Sequence, residues 1–187
     1  ELSGCDLDDS LNLYLLGSFT KTCVIANRIL VSSSNLHDLF VCRIGSSQWT
    51  NHVSADGTPC ESNRIRVKDS KLYSIFWTNG TADIDDQNGN HFQLQRDNGP
   101  MYMAELSSSG VLEGLIQFGK GSGQSDRASG LDYDKLNERI CLAGSFSGTN
   151  AVFGDFQITS NGSSDMFVTS VNANAGNGFS RWLYLTN

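Results

Sequence analysis

The chain of 187 residues is 39% hydrophobic and 18% charged, with 19 glycines and only two prolines, a composition that fits a globular fold of short elements and turns rather than disorder. No apolar run approaches the roughly 20 residues of a membrane-crossing helix. A net charge of −7, with 13 Lys and Arg scattered along the chain, argues against a nucleic-acid partner, which needs a basic patch.

In chain order, period-two alternation and β-branched or aromatic content predict four strands at Ser3–Leu7, Asn12–Phe19, Asp38–Ile44 and Gln48–Val53. Four more are predicted at Arg64–Lys68, Lys71–Trp77, Met101–Leu106 and Val111–Phe118. The last four are predicted at Ser129–Asp132, Glu138–Phe146, Asp165–Val171 and Phe179–Leu185. Clusters of Gly, Asn, Ser and Asp, such as residues 172–178, separate them and supply turns. No segment combines helical spacing with caps. The chain opens on Glu1 without a basic or apolar leader, as expected of a processed chain or a fragment.

The three groups of strands are copies of one unit. Gly17-Ser18-Phe19 and Gly144-Ser145-Phe146 lie 127 positions apart, and so do Asp38-Leu39-Phe40-Val41 and Asp165-Met166-Phe167-Val168. Halfway between stands Met101-Tyr102-Met103, while the middle Gly-Ser-Phe has decayed to Ile75-Phe76-Trp77-Thr78. Self-similarity at a fixed period marks a repeat architecture. Four antiparallel strands repeated radially are the pattern of β-propeller blades. The expectation is therefore an all-β, β-propeller-like single domain over 1–187, with three four-stranded antiparallel blades at about 1–56, 57–122 and 123–187.

The third unit, in the order Asp132, Leu136-Asn137, Gly144–Thr149, Phe153-Gly154, Gly162–Val168 and Trp182, resembles the bacterial beta-propeller repeat often abbreviated SBBP. The first unit keeps Gly17-Ser18-Phe19, Asp38–Val41 and Trp49, and the second keeps mainly the hydrophobic pattern. The resemblance implies a propeller module of secreted or surface-attached proteins, a family with no shared catalytic residues to carry over. A closed propeller has 4–8 blades. Three units therefore imply a segment of a longer protein, a ring completed by a second copy, or head-to-tail contacts that build a filament.

Of the five cysteines, Cys42 and Cys141 fall inside strands as small buried hydrophobes, and no Cys or His sits at zinc-ligand spacing. Cys23 falls in a loop between second and third strands and Cys60 in the connection between units, regions on one face of a propeller, so a Cys23–Cys60 disulfide is expected. The sequons Asn79-Gly80-Thr81 and Asn161-Gly162-Ser163 are glycosylation candidates in exposed loops, and Asn-Gly is equally ordinary turn chemistry.

The run Asp83–His91 is rich in oxygen ligands, but it lacks the EF-hand arrangement and reads better as a solvated acidic turn. Asp6/Asp8 and Asp132/Asp134 recur before the second strand, where Asx hydrogen bonds explain them as well as a ligand role does. Trp49 and Trp182 occupy matching fourth strands and are expected to pack between blades, which leaves Trp77, with Asp83, Asp85 and Asp86, as a candidate ligand surface. No nucleophile elbow or acidic pair in a glycosidase setting is found, and residues 118–123 lack P-loop spacing. Neither catalytic residues, metal nor cofactor is expected. The reading is a non-enzymatic extracellular or cell-surface structural or adhesion module. Its partners would be copies of itself or further blades, its sharper form a filament subunit. The alternatives are a glycan-binding propeller and, behind it, a propeller hydrolase or lyase.

Overall fold

The structure, a computed structural model, describes residues 1–32, 36–55, 60–78, 80–94, 101–119, 126–153 and 156–172. The described residues are all-β and contain no helix. The first unit contributes β1 (Leu2–Leu7), β2 (Leu13–Phe19), β3 (Thr22–Ile25), β4 (Arg28–Val31), β5 (Asp38–Ile44) and β6 (Trp49–Ala55). The second contributes β7 (Cys60–Lys68), β8 (Lys71–Thr78), β9 (Ala82–Asp85), β10 (His91–Leu94), β11 (Met101–Ser107) and β12 (Leu112–Phe118). The third contributes β13 (Arg127–Asp134), β14 (Arg139–Phe146), β15 (Ala151–Phe153), β16 (Phe156–Ile158) and β17 (Asp165–Asn172).

Among the described residues the strands do not sort into three four-stranded blades. There the sheets hold six strands in the order β1-β2-β5-β6-β9-β10, four in the order β12-β11-β8-β7 and three in the order β13-β14-β17, with β3-β4 and β15-β16 as separate pairs, and no ring closes. The physical reason is an additional hairpin between the second and third strand of every unit. The hairpin β9–β10 of the second unit leaves its own sheet and pairs β9 with β6, which extends the first sheet to six strands. The strand predicted at Phe179–Leu185, with Trp182, lies outside the described residues.

Each unit's first pair of strands carries a bulge at the same place, between Leu2 and Gly4, Ser62 and Arg64, and Ala128 and Gly130. The first strands run side by side, with β7 in the middle. Arg66 reaches Asp6 at 3.9 Å and Asp132 at 3.2 Å, and the Asn63 amide donates to the carbonyl of Ala128 at 2.6 Å.

Burial follows from this stacking. Along β14 alternate residues are buried, Ile140, Leu142, Gly144 and Phe146, as a sheet with one covered face requires. Along β8 every residue from Leu72 to Thr78 is buried, because the second sheet is covered on both faces. Leu72 and Phe76 pack toward the first unit; Tyr73, Ile75 and Trp77 pack toward the third with Ile140, Phe146, Phe153 and Phe167. Trp49 also packs between units: it lies edge-on to Tyr14 and its indole N–H donates to the Ser108 carbonyl at 2.9 Å.

Candidate functional site at the uncovered end units

The residues expected to form a ligand surface do not form one. Trp77, expected at the surface, is only 3% exposed, because the third unit covers it. Its indole N–H donates to Glu61 at 3.0 Å, and the Arg127 guanidinium stands 3.3 Å from the ring centroid, so the faces are already occupied. Asp86 is also buried. Its carboxylate accepts from the backbone of Asn88 and Asn90, the Asn90 side chain and the backbone of Leu112, closing the β9–β10 turn. Burial pushes its pKa up, but these hydrogen bonds outweigh burial and hold it below the ordinary value.

Asp83 and Asp85 stand on the outward face of β9 and clamp His91, at 3.3 Å and 2.7 Å. The hydrogen bond to Asp85 and the charge of Asp83 raise the His91 pKa against a weaker effect of burial. Asp8 and Asp134 repeat the turn-closing geometry of Asp86. Asp8 accepts from Ser10 and Asn12, and Asp134 from Leu136 and Asn137, the Asx role expected of them. Among the described residues, no group of three or more His, Cys, Asp or Glu could hold a metal ion.

The expected Cys23–Cys60 disulfide is not formed: all five cysteines are free thiols. The reason is placement. Cys23, on β3, packs with Phe19, Leu30, Phe40 and Cys42 on the outer face of the first sheet. Cys60 packs with Leu39, Val53 and Phe76 on the opposite face. Burial pushes the Cys60 thiol up to about 12 and the Cys42 thiol up to about 11, and raises those of Cys23 and Cys141, so these four are held away from the nucleophilic thiolate. Although His52 lies 3.0 Å from the buried carboxylate of Asp38, the nearby Cys60 is thus no activated nucleophile. Asn161 is exposed in the turn before β17, its backbone N–H bonded to Asp165 at 2.6 Å; Asn79 lies outside the described residues.

What the structure brings together instead is apolar surface at its two ends. The large hydrophobic side chains left exposed are Leu2, Leu7, Leu11, Val24, Ile29 and Val31 in the first unit and Leu136, Phe156, Met166 and Val168 in the third; among the described residues the second unit has none. Register explains the third-unit pair. Met166 and Val168 sit opposite Ser145 and Ala143, on the face of the sheet away from Phe167, which packs inward. In the first unit the hairpin β3–β4 folds over the outer face of its own sheet. Thr50 Oγ1 donates to the Ile25 carbonyl at 3.3 Å and the Asn27 amide donates to Gln48 at 3.1 Å, while the Arg28 guanidinium donates to the Thr50 carbonyl. Ala26 and Asn27, both at positive φ, make its two-residue turn. The alternation of Val24, Ile29 and Val31 with buried Leu30 was a signal for this hairpin, hidden by its brevity.

Comparison with known proteins finds no matching family model, no matching curated protein and no matching solved structure.

Proposed function

We propose that this chain is a non-enzymatic structural or adhesion module, a β-propeller-like stack of repeat units that joins end to end with copies of itself or with further units of a longer chain. The observation that carries this reading is the confinement, among the described residues, of exposed large hydrophobics to the first and third units. In a stacked repeat each unit buries its faces on its neighbours, and end units without caps keep theirs open. Among the described residues the middle unit, covered on both sides, has no such surface left. Fully burying one Leu, Val or Ile side chain contributes about 1.5–3 kcal/mol, so several at each end supply a driving force for association.

The two ends differ in residues and in build, so the contact is heterologous: one copy's third unit meets another's first. Such a contact gives a ring if the rotation closes and a filament if it does not. The extracellular or cell-surface placement rests on the resemblance to the bacterial propeller repeat. With Trp77 buried, no observation favours the glycan-binding alternative. Negative-stain microscopy of the purified chain tests the reading: rings or filaments are expected, and isolated single particles at every concentration would contradict it.

A further inference from the structure

We infer that Asp132 is the seat for the next unit of the stack, and that where this unit is the first of a second copy Asp132 meets Asp6, so that ionic strength controls the joint. The inference rests on the assembly reading above and names the charges at its contact.

Within the chain one unit seats on the next twice, through the first strands. Two residues beyond Gly4, Arg64 and Gly130, which close the bulges, stand Asp6, Arg66 and Asp132, paired across their hairpins with Tyr14, Tyr73 and Cys141. They are rungs of one ladder, acid, base and acid, in which Arg66 reaches both carboxylates. Two residues further on the order repeats as Asp8, Lys68 and Asp134. There Lys68 stands 6.0 Å from the ring centroid of Tyr133 in the third unit.

Each acidic rung also closes on its own chain. The N–H of Leu7 donates to Asp6 Oδ1 and that of Tyr133 to Asp132 Oδ1, both at 2.9 Å. Arg66 has no acceptor to offer, so the N–H of Val67 goes instead to the preceding unit, where Asp6 Oδ2 accepts it at 2.9 Å. Asp6 thus meets both a backbone N–H and a guanidinium of the unit seated on it, and its side chain is 26% exposed. Asp132, at the same place in the third unit, is 76% exposed.

A second copy that continues the stack brings its first unit to Asp132. That unit's rung is Asp6 in place of Arg66, and its Leu7 N–H is already given to Asp6. Two carboxylates then face each other with neither the cation nor the donor that joins the first unit to the second. The nearby cations are turned elsewhere. The Arg127 guanidinium lies on Trp77 and pairs with Glu61 at 3.5 Å, and Arg139, which offsets part of the Asp134 charge, donates to Ser170 at 3.4 Å. Like charges directly opposed weaken a contact, and between exposed groups salt screens them. The apolar end surfaces therefore draw copies together while the Asp132–Asp6 pair limits how tightly they hold.

Light scattering of the full chain through a dilution series, at low and at high sodium chloride, tests the seat. The parent chain is expected to associate more tightly at high salt. Asp132→Arg, at an exposed side chain, puts the Arg66–Asp6 pairing into the joint and is expected to tighten association roughly tenfold at low salt and to reverse the salt dependence. Asp132→Asn removes the charge alone and should fall between; it decides if Asp132→Arg does not fold by circular dichroism. The same two changes at Glu113, on β12 of the second unit, read the general repulsion of a chain with a net charge of −7. Asp132 variants that associate no more tightly than their Glu113 counterparts, or a parent chain whose association weakens with salt, would overturn the seat and leave end-to-end assembly standing through another contact. A chain that stays monomeric at every salt concentration, as the parent and with Asp132 replaced, would overturn self-assembly and the seat together.

Discussion

Gly17 lies against the ring of Phe40, its cross-strand partner: a Cβ on Gly17 would stand 2.7 Å from Cζ of that ring and 2.3 Å from the Glu1 carbonyl oxygen. The pair recurs as Gly144 and Phe167, where a Cβ would stand 2.7 Å from the ring and 2.1 Å from the Arg127 carbonyl oxygen. The repeated Gly-Ser-Phe and the repeated Asp-apolar-aromatic-Val are thus two halves of one contact. In the middle unit Phe76 replaces the glycine and stacks on Tyr102, with ring centroids 5.5 Å apart.

Gly144→Ala is expected to destabilise the fold by about 1–3 kcal/mol, the usual cost of overpacking a close-fitting site. Gly162→Ala, with nothing within 4 Å of the added carbon, should stay within about 0.5 kcal/mol. Urea denaturation of the two variants beside the parent chain checks the contrast.

Asp86 supports the β9–β10 turn with its charge, and its folded pKa lies below the ordinary 3.8. Its contribution is therefore present above that value and lost as the pH falls through the lowered folded value. Asp86→Asn should be less stable than the parent at neutral pH, and the gap should narrow as the pH drops below 3.8. Denaturation midpoints across an acid series measure this; a gap that widens toward acid would refute the role.

Thiol chemistry separates placement from pairing. A thiol reagent at neutral pH should modify exposed Cys5 in the native chain, leave buried Cys42 and Cys60 untouched, and find all five thiols after denaturation without reductant. Recovery of only three would mean that one disulfide exists.

Much of the fold was legible because strand periodicity is local. Asp38–Ile44 is a strand with the bounds the alternation predicts, and the 127-residue offset marks the first and third units as copies. The hairpins were not legible, because their partners come from elsewhere: nothing near Ala82–Asp85 announces that β9 will pair with β6 of the preceding unit. Trp77 failed as a surface residue for the same reason. Its own strand shows where the side chain points along the pleat, but only the arrival of the third unit and Arg127 buries it. The exposed residues Val24, Ile29 and Val31 of the first unit were not legible, because the short hairpin that carries them, β3–β4, was not foreseen.

If the contact is heterologous, its two halves can be blocked separately. Ile29→Lys and Met166→Lys place a charge on side chains already 67% and 70% exposed, so each should fold normally and lose self-association. Mixed together they should form pairs and nothing longer, because each retains the end the other lacks. Ultracentrifugation of the mixture reads this directly; failure to pair would mean that the ends do not meet each other.

The most direct test of end-to-end assembly is the mass of the unmodified chain, followed by light scattering through a wide dilution series. End-to-end joining gives a mass that climbs with concentration in steps of the 20.3 kDa chain and falls back on dilution. A folded chain that holds at 20.3 kDa throughout would contradict it.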